Sequence, residues 1–393
     1  MRVCMLSECY EPVCNGVTTS VKALVHELRA RSHHVIVVAP HYGSHRDDSR
    51  LVLRLPSLQT RWNRDYPVAC PWMPMAPMRL RRLVPDIVHS HGPFFVGVLA
   101  WRLARDARAP LISTYHTLYE HYRHYIFFLP DPVVRALLVR WMPRYYNACA
   151  SVIAPSRVAE ESLRRYGVHS PVSIVPTGVP LPNPAEVDGE ARKRARERFS
   201  IPPDVPMLLS VGRIAREKNL DLVLAAFLRL RDAHPETRLV IAGGGPHLEH
   251  YRQTVRAPGY DGQVTLVGPV RHEDLPPIYA AADAFVFGST TETQGLVVAE
   301  ARAAGTPCVV VNVGGAGETV RHGEDGLVVD PTPEAVSSAV SALLSDDDLR
   351  GRMREACLRN APLWTPQAMA DRVESVYREV NEARLVGRRA RAG

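Results

Sequence analysis

Lysine is almost missing from this chain. Of its 48 lysine and arginine residues only Lys22, Lys193 and Lys218 are lysine. Such a bias is what a GC-rich coding sequence produces, and a lysine that persists against it is a candidate for a specific task. Long apolar runs are also missing. No stretch approaches the ~20 consecutive apolar residues that a membrane-spanning helix needs. The N-terminal run, MRVCMLSECYEP, is too short for the apolar segment of a signal peptide. The seven cysteines, Cys4, Cys9, Cys14, Cys70, Cys149, Cys308 and Cys357, form no C-x-x-C pair and no metal-ligand spacing. An odd, scattered set reads as reduced thiols in a cytosolic protein. There is no tandem repeat, no long low-complexity run and no G-x-G-x-x-G nucleotide fingerprint.

What is present is a chain of 393 residues, 46% hydrophobic and 23% charged, long enough for two globular domains. Its charge is uneven: residues 1–180 carry a net of +10 and residues 181–393 a net of −3. The basic half should prefer anionic surfaces such as lipid headgroups or phosphates. Nucleic acid is the other basic option, and no RNA- or DNA-binding module is recognisable here.

Short apolar runs alternate with helical patterns along both halves. Arg2–Leu6, His34–Ala39, Ile87–His91, Leu111–His116, Ser151–Pro155 and Val172–Pro176 read as strands, with a helix over Val17–Ala30. After a proline-rich linker at 180–184 come strands at Met207–Val211, Leu239–Ala242, Val264–Val267, Ala284–Phe287 and Cys308–Val311. Helices are predicted at Leu220–Asp232 and Leu275–Ala281, and from about Pro366 to Arg384. This order makes each half its own doubly wound α/β sheet, over 1–180 and 185–365. Ligands gather at the carboxyl ends of such strands. There stand Asn15-Gly16, His91 and His116. A lone histidine is more often structural, and that reading is preferred for His91. His116, with Thr117 and a tyrosine-rich run behind it, reads as functional.

Two further segments carry chemistry. Strand Met207–Val211 runs into Gly212-Arg213, with Lys218 just before the next helix. Two cations and free helix N–H groups can hold a diphosphate and neutralise its charge as it leaves. The stretch STTETQGLVVAEARAAGTP places Glu292 and Glu300 with seven residues between them. Gly295 opens an Ala-rich helix, Leu296–Ala304, and Gly305 and Pro307 end it. In the basic half, Arg61–Arg82 interleaves Trp62, Trp72, Met73, Met75 and Met78 with arginines, among them Arg79, Arg81 and Arg82. Prolines should keep it irregular. Within 119–146, Arg135, Arg140 and Arg144 recur at near-helical spacing beside Leu137, Leu138 and Trp141. Basic and aromatic residues beside an apolar face mark interfacial membrane binding; the bland alternative is a core helix with a covering loop.

VGRIAREKNLDLVLAAF, ETQGLVVAEARAAGTP, CNGVTTSVKALVHELRARSHHVIVVAP, HSHGPF and STYHTLYEHY together resemble the retaining glycosyltransferases of family 4 (group 1). The resemblance runs over essentially the whole chain. NGVTTS, TYHTLYEHYRHY and ETQGL look most like bacterial diacylglycerol glycosyltransferases. It implies two Rossmann-like domains facing across a cleft, the GT-B fold, with helix 366–385 returning to the first. It implies that Arg213 and Lys218, helped by backbone at Gly16, bind the diphosphate of a UDP- or GDP-hexose. Glu292 with backbone at Gln294, Gly295 and Leu296 would hold the sugar, His116 would lie beside its reacting face, and Glu300 would take the ribose hydroxyls. Backbone at Gly268 and Val270 would meet the base. Many relatives have Phe where this chain has Gln294, which bears on sugar or acceptor choice. No D-x-D motif stands where a sugar-nucleotide transferase would need one, so no metal or other cofactor is expected. The implied acceptor is a lipid such as diacylglycerol, reached from the cytosolic face of an anionic membrane, with no nucleic-acid partner. A soluble acceptor, an epimerase or phosphorylase on the same fold, and a non-catalytic binding module are the rivals.

Overall fold

Runs of four to seven mostly apolar residues become strands because parallel strands are covered on both faces and have no side to give to water. The structure, a computed structural model, describes residues 1–43, 45–47, 49–60, 63–70, 83–121 and 130–392. It divides into two units: Met1–Gly178 with Pro366–Gly393, and Val179–Thr365.

In unit 1 the strands are β1 (Arg2–Ser7), β2 (His34–Pro40), β3 (Val52–Leu55), β4 (Ser57–Thr60), β5 (Asn63–Ala69), β6 (Ile87–His91), β7 (Leu111–Thr114), β8 (Ser151–Ala154) and β9 (Val172–Ile174). The main sheet is parallel, in the order β3-β2-β1-β6-β7-β8-β9. β4 and β5 form a separate antiparallel pair. The stretch expected to be irregular from Arg61 to Arg82 is therefore a strand over Asn63–Ala69. Pro67 disguises it, although an edge strand accommodates a proline. Residues 71–82, with Arg79, Arg81 and Arg82, lie outside the described residues.

Three helices of unit 1 matter below: α1 (Gly16–Ala30), α2 (Phe95–Ala107) and α3 (Asp131–Tyr146). Asn15 starts α1 by accepting the Thr18 N–H on its side chain at 2.8 Å. Alternate residues of β1 face opposite ways. Val3 and Met5 pack with Val21, Leu24 and Leu28 of α1, whereas Cys4 and Leu6 pack with Val96, Leu99 and Leu103 of α2. The chain therefore leaves β1 toward one face and β6 toward the other, and the topological switch point lies between those two neighbouring strands.

Unit 2 repeats the plan with β10 (Met207–Val211), β11 (Arg238–Ala242), β12 (Val264–Gly268), β13 (Ala284–Phe287), β14 (Cys308–Val311) and β15 (Gly326–Val329), parallel in the order β12-β11-β10-β13-β14-β15. Helix α4 (Leu220–Leu230) covers one face with Val223 and Phe227; α5 (Leu296–Ala303) covers the other with Val298 and Ala301. The switch point here is between β10 and β13. Glycines allow the chain to pack tightly beside it. A Cβ on Gly243 would stand 1.8 Å from the Gly212 carbonyl oxygen, so no other residue fits there.

The last helix, α6 (Pro366–Ala392), belongs to unit 1. Met369, Ala370, Val373, Val376 and Tyr377 complete the α1-side core. Arg31 donates to Asp371 at 2.5 Å and to Glu374 at 2.7 Å, and fixes the helix from outside. Among the described residues no helix is long and apolar enough to cross a membrane.

Candidate active site

In unit 2 the structure brings Lys218 and Glu292 together at the switch point. Lys218 lies on the short turn before α4, and Glu292 lies on the loop between β13 and α5. Their side chains form an ion pair, Lys218 Nζ on Glu292 Oε1, and the Ser289 hydroxyl donates to the same oxygen at 3.0 Å. The loop carrying Glu292 is held from behind. The Gly315 N–H donates to the Glu292 carbonyl at 2.7 Å, and a Cβ at position 315 would meet the Thr293 oxygen at 2.0 Å. The buried Gln294 gives its carbonyl to the Thr319 hydroxyl at 2.7 Å. Gly295, at φ 82°, turns the chain into α5, whose first residue is Leu296. Arg213 is exposed on the loop leaving β10. Glu300, one turn along α5, accepts the Tyr279 hydroxyl at 2.8 Å on Oε2. Burial raises its carboxyl above the ordinary value, opposed by His272 and by that hydroxyl. Gly268 ends β12 at φ 82° and gives its carbonyl to the Gly243 N–H at 2.9 Å; Val270 follows, half-buried.

In unit 1, by itself, stand Gly16, the first residue of α1, and a histidine cluster. His91 ends β6, and its Nδ1 is 2.9 Å from His116 Nε2, the rings stacked at 5.2 Å. His89 contacts the Tyr377 hydroxyl of α6 and the Thr114 hydroxyl, both at 2.7 Å. Burial keeps all three rings neutral: it lowers His89 to about 3 and His116 to about 4, and takes His91 well below its usual value. His91 Nε2 is buried with no partner. A bare acceptor there costs less than an orphan N–H. The His91 proton therefore sits on Nδ1 and is donated to His116, which leaves the His116 proton on Nδ1. His91, read from the sequence as structural, orients the histidine read as functional.

This cluster sets a pH dependence. Each histidine has a folded pKa below its unfolded one, so on acidification the unfolded chain takes up protons first. The cluster's contribution to stability should be constant above about pH 6.5 and be lost as pH drops toward 4, by up to ~1.4 kcal/mol per pH unit for each group. His89→Gln should flatten the slope of midpoint against pH in urea titrations. An unchanged slope would remove His89 from the account.

On α3 the membrane-facing expectations separate in space. Arg140 and Arg144 are exposed, with Arg135 and with Val133, Leu137 and Val139, which are 44%, 54% and 52% exposed. Trp141 is half-buried, and its indole N–H donates to the Pro93 carbonyl at 3.0 Å. It ties the helix to its own unit.

Sequence reasoning overlooked Ser289, Gly315 and Tyr279, because their roles consist of contacts with residues distant in the chain. The doubled glycine in NVGGAG was the one available signal.

Two family models match the chain: Glycosyltransferase Family 4 over residues 14–183 and Glycosyl transferases group 1 over residues 191–359. The alpha-monoglucosyldiacylglycerol synthase of Streptococcus pneumoniae is 31% identical over 313 residues, 79% of this chain and 70% of that protein. The D-inositol 3-phosphate glycosyltransferase of Corynebacterium glutamicum (strain R) is 29% identical over 309 residues, 77% of this chain and 74% of that one. In fold the chain matches sucrose-phosphate synthase from Thermosynechococcus elongatus, with a TM-score of 0.78 at 23% identity, over 97% of this chain and 99% of that one. Two parallel Rossmann-like sheets, each with polar side chains gathered at its switch point, fit these matches, and the chain belongs to the group 1, family 4 glycosyltransferases of GT-B fold.

Proposed function

We propose that this glycosyltransferase moves a hexose, with retention of configuration, from a nucleoside diphosphate sugar to a membrane lipid with a free hydroxyl, diacylglycerol in the first instance. The donor's diphosphate is held by Arg213, Lys218 and the N-terminal backbone of α1 at Gly16. Glu292 and the start of α5 take the sugar, Glu300 takes the ribose, and backbone at Gly268 and Val270 meets the base. His116 lies beside the reacting face of the sugar. The bond from the anomeric carbon to phosphate oxygen breaks, the bond to the acceptor oxygen forms on the same face, and the acceptor's proton passes to the leaving phosphate oxygen. Arg213 and Lys218 neutralise the charge that grows on the diphosphate.

One observation carries the lipid acceptor: the outer face of α3 aligns exposed Val133 and Leu137 with Arg140 and Arg144, and exposed Val139 and Arg135 flank it. Apolar side chains there would enter the headgroup boundary, while each arginine near anionic lipid contributes about 1 kcal/mol, less at high salt. An acceptor with two acyl chains cannot come far into water, since each methylene is worth ~0.8 kcal/mol, so the enzyme goes to the bilayer, on its cytosolic face. The relative from S. pneumoniae, by its name a synthase of alpha-monoglucosyldiacylglycerol, supports the same acceptor.

The test is a screen of labelled UDP- and GDP-hexoses against vesicles with or without diacylglycerol and phosphatidylglycerol. Label should enter the organic phase only with diacylglycerol present, and faster with phosphatidylglycerol. Arg135, Arg140 and Arg144 changed together to Gln should weaken vesicle binding. Label that stays in the aqueous phase on inositol phosphate, at full rate without vesicles, would overturn the lipid reading in favour of a soluble acceptor.

A further inference from the structure

Unit 1 has a carboxyl group at its own switch point for which the functional reading has no use. Glu8 follows the last residue of β1, beside the end of β6, at the carboxyl edge where ligands collect in open α/β sheets. Its Oε1 accepts the Val96 N–H at 3.0 Å and the Gly97 N–H at 3.4 Å, at the start of α2. The residue preceding that helix, Phe94, has no side chain to offer it. The neighbourhood is shaped around this acid. A Cβ at Gly92 would stand 2.6 Å from Glu8 Cγ, and one at Gly97 would meet the Gly92 oxygen at 2.3 Å. The glycine of HSHGPF therefore has a physical reason: it admits Glu8.

Capping alone does not explain the choice of residue. A Ser, Thr, Asn or Asp beside the helix would satisfy the same N–H groups from solvent-facing backbone. Here a carboxyl is drawn into a half-buried place with no cation in ion-pair contact among the described residues, and the side-chain hydrogen bonds it makes with those residues at ordinary geometry both fall on Oε1. Burial pushes its pKa up to about 7, against the pull of the N–H groups of Val96, Gly97 and Phe94. Among the described residues the titratable groups that face it are Cys9 of its own loop, Tyr119 of the turn at 119–121, and Tyr145 of α3. All three have their pKa raised by burial and stay neutral near pH 7. The place therefore suits a neutral hydrogen-bond donor and repels phosphate.

We propose that Glu8 receives the acceptor substrate: its Oε2 accepts a hydrogen bond from a hydroxyl of an uncharged alcohol. This rests on the reading of the chain as a transferase to a hydroxyl-bearing lipid. It sharpens that reading, because an acceptor with a phosphate next to the reacting hydroxyl would meet a carboxylate.

The experiment compares wild type with Glu8→Gln, in which the side-chain oxygen can still cap α2. Donor hydrolysis without acceptor and transfer to diacylglycerol in mixed micelles are followed from pH 5.5 to 8.5, a range chosen about the Glu8 value near 7. The ratio of acceptor kcat/KM to donor hydrolysis should fall roughly 10- to 100-fold in the variant, the range of a lost hydrogen bond to a charged group. In wild type the acceptor kcat/KM should decline as pH falls through about 7, and in Glu8→Gln that decline should be gone. An unchanged ratio, or equal loss of hydrolysis and transfer, leaves Glu8 as a helix cap and overturns the proposal. If the variant does not fold, the carboxyl of Glu8 can be titrated by NMR in the intact protein with short-chain diacylglycerol or glycerol added. Its midpoint should move down with a bound hydroxyl, and an unmoved midpoint is equally fatal. A wild type that glycosylates no lipid sinks the lipid reading alone; the titration against glycerol still decides the role of Glu8.

Discussion

Lys218→Ala should lower turnover by roughly two to three orders of magnitude, the range seen when a group that stabilises transition-state charge is removed. The expectation rests on where the lysine stands. Its side chain is 21% exposed, at the switch point of unit 2, on Glu292, whose side chain is 15% exposed. With no donor bound, each charge answers the other. A diphosphate would draw Lys218 toward itself, leaving Glu292 to accept from sugar hydroxyls. Arg213→Ala should act in the same direction. Stability should fall by about 1–3 kcal/mol, because the pair is partly buried and the Ser289 hydroxyl still donates to Glu292 when the lysine is gone. The measurement is single-turnover transfer beside a urea titration. Normal turnover in either variant would end the diphosphate assignment, and a collapsed fold would show that the pair is structural.

The second large effect falls on stability. Arg302→Met should cost about 3–5 kcal/mol, the penalty for leaving one member of a buried ion pair alone. Arg302 is on α5 with 2% of its side chain exposed, and its partner Asp325 is fully buried. The guanidinium also donates to the Thr319 carbonyl and lies 5.6 Å from the centre of the Trp364 ring. Asp325 in turn accepts from the Arg321 N–H at 2.8 Å and from Asn360 at 3.0 Å. Adding Asp325→Asn should recover part of the loss, since it removes the unpaired charge and its single amide oxygen can still accept one of those two bonds. Urea titration of both variants decides it. A cost below ~1 kcal/mol for Arg302→Met would mean that the pair is wet in solution. Arg302 is two residues past Glu300 and points the other way round the helix. The face of α5 that anchors it is thus not the face that carries the acid.

How much of this could be read from the sequence varies with the kind of signal. Helix α5 is legible because Gly295 opens it and Gly305-Thr306-Pro307 closes it, and such punctuation is local. β10 and β14 are legible as unbroken apolar runs. β3 was missed because Arg54 interrupts it. In the fold its guanidinium binds Asp47 and the carbonyls of Pro40 and Glu11, and lies over the rings of Tyr10 and Tyr42. A charge so satisfied does not announce a strand. β15 was missed because four residues behind a tight turn leave no periodicity to find. The Lys218–Glu292 contact joins positions 74 apart and could be expected only through the resemblance. Glu8 had no signal, since its role depends on the space that Gly92 leaves.

The place of α6 has a consequence for synthesis. Unit 1 is encoded at both ends of the chain, and the whole of unit 2 lies between. On a ribosome the usual order is for the N-terminal domain to fold first. Here the hydrophobic face formed by Val3, Met5, Val21 and Leu24 waits, unroofed, until Met369, Val373 and Tyr377 have left the exit tunnel. The second unit can be complete before the first is sealed. The nascent polypeptide thus carries a sticky, basic half-domain for as long as unit 2 is being made, and the hydroxyl that anchors His89 arrives only after it.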